Sequence, residues 1–234
     1  MSKILMVVSA ADSLVMKDGT RHPTGFWAEE LVAAHRMLRE AGHSIDIATP
    51  GGAKPTVDKI SLDPDTVGQE TADDLAAYLQ EIDAELAAPL ALADVAVGDY
   101  DAVVMPGGHG PMADLYQDAD LGRILVAADA VGKIIAPFCH GPAGLLSTVD
   151  DAGNFPFAGR RLTVFSNEEE LGGGTGENTP WLVETALGEK GVVVENGPAW
   201  QSNVVVDDNL ISGQNPQSSA DVARTLLEVL AGGR

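Results

Sequence analysis

Apolar positions in this chain fall in short runs that alternate with stretches of helical spacing. Lys3–Ser9 is nearly continuously apolar and predicts a first strand. Thr24-Gly25 then opens a helix predicted over Phe26–Ala41, where Leu31, Ala34, Leu38 and Ala41 keep helical spacing and Gly42 closes it. Ser44–Ala48 predicts a second strand. A polar stretch with Pro55 and Pro64 follows, then a helix over Thr71–Ala87 whose Asp-rich first turn suits the helix dipole. Ala102–Met105 and Ile134–Phe138 are short apolar strands on either side of a helix over Asp120–Ala130. Gly141–Ser147 reads as a short helix, Arg161–Phe165 as a strand and Thr179–Gly188 as a helix. Asn203–Val206 and Asn209–Ser212 predict a hairpin across Asp207-Asp208, and Ser218–Ala231 is the closing helix.

Such alternation predicts an α/β fold with a buried, mainly parallel sheet and helices packed on it. No internal repeat or low-complexity linker divides the chain; Gly172-Gly173-Gly174-Thr175-Gly176 is too short for a domain linker. A single domain over 1–234 is expected, with loop excursions at about 51–70 and 171–178. In such sheets ligands bind beyond the carboxyl ends of the strands. Three features are expected to meet there: the loop after the first strand with its helix, the loop Pro106–Pro111, and the turn at Cys139.

Composition narrows the partners. There are 35 Asp+Glu against 14 Lys+Arg, a formal charge of −21. That balance argues against nucleic acid and against anionic lipid, both of which are bound through basic side chains. No apolar run approaches the ~18 residues of a membrane helix, and Met1–Ser9 lacks a signal-peptide cleavage pattern, so a cytoplasmic location is expected. The one cysteine, Cys139, excludes an intramolecular disulfide and a multi-cysteine zinc site.

That cysteine carries the strongest local signal. In Ala136-Pro137-Phe138-Cys139-His140-Gly141-Pro142-Ala143 a buried strand ends and a helix begins, with proline in its first turn. Cys139 therefore sits at a strand-to-helix turn of the nucleophile-elbow kind. A lone cysteine is usually a small buried apolar residue. Here the helix N-terminus is expected to favour the thiolate, and neighbouring N–H groups to receive an oxyanion. His140 is the candidate base. A base needs an orienting acceptor, and Ser166-Asn167-Glu168-Glu169-Glu170 follows the next strand end. Pro106-Gly107-Gly108-His109-Gly110 allows close backbone approach to a ligand and matches no phosphate loop. Glu29 and Glu30 lie in a helix's first turns, where acids ordinarily compensate the dipole. A partly buried carboxyl beside Cys139 would instead hold its proton. His22, His35 and His43 lack metal-ligand spacing and read as surface or core residues. The sequence leaves Trp27, Trp181 and Trp200 open between core and pocket.

Taken together and in order, these motifs resemble the DJ-1/PfpI superfamily, related to class I glutamine amidotransferases. Within it the likeness is to the branch of heat-shock chaperones and glutathione-independent glyoxalases (glyoxalase III). The resemblance runs through Asp18-Gly19, Thr24 to Leu31 (TGFWAEEL), Met105 to Gly110 (MPGGHG), Asp114-Leu115, Cys139 to Ala143 (CHGPA), Phe165 to Glu169 (FSNEE), Pro180 to Glu184 (PWLVE) and Gly213 to Ser219 (GQNPQSS). It departs from the pattern at Ala34, where relatives often carry proline.

The resemblance implies a flavodoxin-like three-layer sandwich, a homodimer, and no metal or organic cofactor. Carried over by position, Cys139 matches the nucleophile, His140 its neighbour and Glu30 the helix glutamate. Gly108 and the His140 backbone match oxyanion donors, with His109 and Gly141 beside them at the substrate. The third triad position falls on Asn167 or Glu170; the first is an amide, which leaves Glu170. The implied reaction converts a small α-oxoaldehyde, methylglyoxal, to lactate without glutathione. A holding chaperone, a deglycase or other cysteine hydrolase, and isonitrile hydration are the competing expectations.

Overall fold

A computed structural model of the chain describes residues 1–173 and 175–232. Gly174, inside the expected 171–178 excursion, and Gly233-Arg234 at the end of the expected domain lie outside the described residues. The strands are β1 (Lys3–Val7), β2 (Ser13–Val15), β3 (Arg21–Pro23), β4 (Ser44–Thr49), β5 (Leu90–Ala91), β6 (Ala102–Met105), β7 (Ile134–Pro137), β8 (Arg161–Leu162), β9 (Val193–Val194), β10 (Val204–Asp207) and β11 (Leu210–Gly213). The helices are α1 (Ala28–Glu40), α2 (Pro64–Val67), α3 (Gln69–Glu81), α4 (Asp83–Ala87), α5 (Ala119–Ala130), α6 (Asn167–Gly172), α7 (Val183–Glu189) and α8 (Ser219–Gly232).

Seven strands form the central sheet in the order β10-β11-β7-β6-β1-β4-β5. All neighbours pair in parallel except β10 and β11, which form the hairpin. Side chains alternate across the sheet as the strand period requires. Leu5, Val7, Val103, Met105 and Ile135 join one apolar cluster with α5 and α7 residues. Ile4, Met6, Val104, Ile134 and Ala136 join another with α1, α3 and α8 residues. The result is a three-layer, flavodoxin-like α/β sandwich, buried on both sheet faces. Its β1, β6 and β7 carboxyl ends lie side by side.

The departures from the sequence reading have local causes. The helix expected over Thr71–Ala87 breaks at Ile82, which turns out of helical geometry with its side chain fully buried. The 51–70 excursion is largely structured, through α2, the start of α3 and short 3-10 turns at Pro50–Gly52 and Lys59–Leu62. Gly141–Ser147 is part of a 3-10 turn over Gly141–Thr148. The strand expected over Arg161–Phe165 stops at Leu162 and pairs only with β9. Beyond it, side chains occupy the backbone: Ser212 Oγ accepts from the Thr163 N–H, and Asn196 Oδ1 from the Val164 N–H. The helix expected from Thr179 starts at Val183, because Thr179 turns inward to the functional site. The small β2–β3 hairpin went unpredicted; its strands are three residues each, and Gly19 takes φ +83° in the turn.

Candidate active site

The β7 strand delivers Cys139 onto a sharp turn. Its φ of 57° lies in the left-handed region, uncommon for a residue with a side chain. The turn is held from both sides: the Cys139 N–H donates to the Gly213 carbonyl at 2.9 Å, and the Cys139 carbonyl accepts from the Phe165 N–H at 3.0 Å. Gly141 makes the close approach possible, since a Cβ there would lie 2.1 Å from the Met105 carbonyl oxygen. Its N–H goes to the Phe138 carbonyl at 2.8 Å, so Gly141 shapes the elbow; it is not among the residues lining the cavity over the sulfur. Gly141→Ala is expected to cost roughly 2–4 kcal/mol, read as a fall in Tm; an unchanged Tm would count against this packing argument.

Around the sulfur the three strand ends converge. The backbone N–H groups of Gly108 and His140 both act on the Cys139 sulfur. Gly108 holds φ +83° with its α-carbon against the Gly25 carbonyl and the Trp27 amide. Glu30, fully buried in the first turn of α1, accepts from the Gly107 N–H through Oε2 at 2.6 Å. Its other oxygen, Oε1, is buried, and the carboxyl shares a hydrogen bond with the Cys139 thiol. Burial pushes the Glu30 carboxyl up to about 8, against the hydrogen bonds to Cys139 and the Gly107 N–H, so it holds its proton at neutral pH.

His140 completes a relay. Its Nδ1 lies 3.3 Å from the Cys139 sulfur, and its Nε2 lies 2.6 Å from Glu170 Oε2. Burial, then the neighbouring His109, push the His140 pKa down. Burial disfavours charge on Glu170, yet hydrogen bonds from His109 and His140 hold its carboxyl well below the usual carboxylate range. An ionised Glu170 takes the Nε2–H of a neutral His140, which leaves the Nδ1 lone pair facing the thiol. Of the two third positions weighed from sequence, the structure brings Glu170 to His140. Asn167 turns away to bond Glu184 and Thr185.

The expected resting thiolate is corrected. Burial pushes the Cys139 thiol well up and the Glu30 carboxyl adds to it, while the Gly108 and His140 N–H groups work the other way. The cause is structural: Cys139 is 3% exposed, and a 3-10 turn, not a regular α-helix, follows it. A buried anion without a counter-cation is costly. The site therefore holds a thiol beside a base.

His109, expected at the oxyanion or substrate, lines the cavity over the sulfur; its Nε2 is also 3.0 and 3.2 Å from the two Glu170 oxygens, and its ring lies against His140 with centroids 4.3 Å apart. Thr175 and Thr179 hydroxyls also donate to Glu170. His109, His140 and Glu170 place ligand-type atoms within 4.8 Å of one another, but each already serves the shared hydrogen-bond network. Thr175 lies within the glycine-rich segment and Thr179 just after it, and neither carries a signal in the sequence.

A cavity of about 640 Å³ opens over the sulfur, and Trp27, Glu29, Ile60, Phe165, Trp200 and Pro216 are among the residues that line it. His22, read from sequence as a surface or core residue, lines this cavity. Trp181 does not; it packs at a tilt against Tyr116 on the core. His35 is buried against Tyr78 and Glu85, and His43 accepts from the Ser2 N–H.

An α/β sandwich with a cysteine elbow at its strand ends, backed by a histidine and a buried glutamate, defines a structural class of α/β proteins. The DJ-1/PfpI family model matches residues 23–229, and the chain belongs to that family. It is 30% identical over 98% of its length to the protein/nucleic acid deglycase HchA of Pseudomonas aeruginosa, 82% of which is covered. The crystal structure of Francisella tularensis Rapid Encystment Protein 24 kDa superposes with a TM-score of 0.83 at 30% identity, covering 98% of this chain and 99% of that one. Glyoxalase III from Candida albicans shares the fold, with a TM-score of 0.83 at 23% identity over 97% and 96% of the two chains. None of the helices in the described residues is long and apolar enough to cross a membrane.

Proposed function

We propose that this protein is a glutathione-independent glyoxalase, a lyase of the glyoxalase III type that converts methylglyoxal and water to lactate. The observation that carries this reading is Glu30: a buried, protonated carboxyl hydrogen-bonded to Cys139 in addition to the histidine relay. Hydrolysis through a Cys–His–Glu relay has no need of a second acid there. Isomerisation does.

The Cys139 sulfur adds to the aldehyde carbon while His140 Nδ1 takes the thiol proton, and the Gly108 and His140 N–H groups hold the oxyanion. His140 returns the proton to that oxygen, giving the hemithioacetal. His140 then removes the C1 proton as Glu30 protonates the C2 oxygen, giving the enediol. The proton on His140 passes to C2, and Glu30 recovers its proton from the C1 hydroxyl, leaving a lactoyl thioester. Water cleaves the thioester to lactate and the free thiol. No lysine or arginine among the described residues lines the cavity, so there the carboxylates of a glutathione adduct would meet no counter-charge.

A second reading, deglycase action on adducts of α-oxoaldehydes, is favoured by the name of the Pseudomonas aeruginosa relative. It shares the nucleophile and differs in the group released. Methylglyoxal consumption with lactate detection, without glutathione, tests the proposal. Stoichiometric lactate supports it; no turnover of free methylglyoxal beside release from glycated peptide overturns it in favour of the deglycase. Glu170→Gln is expected to lower kcat by about 10²–10⁴-fold, because the amide no longer fixes His140 with its lone pair toward sulfur. Wild-type kcat in that variant would remove the relay from the mechanism.

A further inference from the structure

The cavity is much larger than methylglyoxal requires. Its 640 Å³ falls within the ~300–1,000 Å³ range of sites for drug-sized ligands. Five heavy atoms, each allotted the ~30 Å³ of a liquid water, fill less than a quarter of it. Much of the remaining wall is apolar or aromatic, with Glu29, Asp58, Thr66, Thr71 and Gln217 interspersed.

Trp200 is the residue in that wall with the least ordinary backbone. Its φ is 62°, a conformation that glycine takes freely and tryptophan does not. Its side chain is nevertheless 48% exposed, so core packing does not explain its presence. A buried carboxylate holds the backbone in place: Glu169 Oε1 accepts from the Trp200 N–H at 2.8 Å. Glu169 is itself locked by the Ser166 N–H and hydroxyl and by the side-chain amides of Gln214 and Asn215. Strain maintained by such an anchor at a cavity mouth is an observation that points to function.

The rings line up toward the chemistry. Trp200 meets Phe165 edge-on with centroids 5.6 Å apart, and Phe165 lies on His140 at 4.5 Å. Trp27, Ile60, Val67 and Pro216 also line the cavity.

We propose that Trp200 is a specificity-determining residue, and that this cavity selects 2-oxoaldehydes carrying an aryl or long alkyl group in place of methyl. The inference rests on the glyoxalase reading, deepening it from reaction to substrate class. The apolar substituent packs between Trp200 with Phe165 and the Trp27 wall, and the dicarbonyl end reaches Cys139.

The test compares kcat/KM for phenylglyoxal and methylglyoxal in wild type, Trp200→Gly and Trp200→Phe, with Cys139→Ser as the blank for side reactions. Glycine removes the ring and also relieves the left-handed φ, so a loss cannot come from added backbone strain. Wild type is expected to prefer phenylglyoxal by about tenfold or more. Trp200→Gly should lose that preference through KM, with methylglyoxal turnover within about twofold of wild type, and Trp200→Phe should keep most of it. Equal losses on both aldehydes, or no preference in wild type, overturn the proposal. If wild type turns over neither aldehyde, the glyoxalase reading has failed separately. The role of Trp200 is then read by calorimetry on Cys139→Ser with the neutral product analogues mandelamide and lactamide. Tighter mandelamide binding that disappears in Cys139→Ser/Trp200→Gly supports it, and equal binding overturns it.

Discussion

Cys139→Ser is expected to lose on the order of 10³-fold or more in methylglyoxal turnover, with a Tm close to that of wild type. The two halves of this result come from the same geometry. Serine replaces sulfur with a smaller oxygen in a rigid cradle, where the backbone is fixed by the Gly213 carbonyl and the Phe165 N–H. Nothing in that cradle depends on sulfur for packing, so the fold should stand. Chemistry depends on it fully. His140 Nδ1, 3.3 Å away, must take a proton from the attacking group, and an alcohol gives it up far less readily than a thiol. A hydroxyl is also the poorer leaving group when the final ester is cleaved. Lactate production and thermal unfolding on the same preparations check both halves. Turnover within tenfold of wild type would mean that a water activated by His140 and Glu170 does the work, and the covalent route would be abandoned.

The elbow and its neighbours were legible in the sequence because each is a local consequence of strand-to-turn chemistry. An apolar run ending in Cys139-His140-Gly141-Pro142 has few ways to fold, and Gly107-Gly108 at a neighbouring strand end had to approach something closely. The parallel sheet was legible for the same reason: β1, β6 and β7 are too apolar to face water. Less legible was the charge state at the sulfur. The sequence shows a helix-like start after Cys139, and from it a lowered thiol pKa is expected. Burial and a 3-10 geometry, both tertiary outcomes, reverse the direction. The surroundings of Glu170 were hidden likewise. Thr175 and Thr179 reach it only because the chain after α6 folds back, and no periodicity records such a return. Ser166-x-x-Glu169 did carry a local signal, a capping box that starts α6 and aims Glu170 inward. Trp200 was left open between core and pocket because an exposed aromatic at positive φ is invisible until the backbone is seen.

Glu30→Gln separates what the carboxyl does for catalysis from what it costs the fold. The amide keeps an oxygen to accept from the Gly107 N–H and places an NH₂ where the protonated acid has its O–H. It therefore imitates the neutral form and cannot exchange a proton. Turnover is expected to fall by about 10²–10⁴-fold. Stability should move the other way, and its pH dependence fixes the cause. The folded Glu30 carboxyl titrates at about 8 against an ordinary value of 4.5. Folded protein thus binds more protons than unfolded protein between those values, so this group's contribution is fully present below about 4.5 and is lost as pH rises through about 8. The steepest loss is ~1.4 kcal/mol per pH unit. Glutamine has no such slope. Urea unfolding of both proteins from pH 5 to 9 should show the variant gaining on wild type throughout the rise and levelling off above about 8. A constant difference across that range would mean that Glu30 ionises in the fold without penalty. The same variant would then lack the basis assigned to it here, because an ionised Glu30 at neutral pH has no proton to give the C2 oxygen.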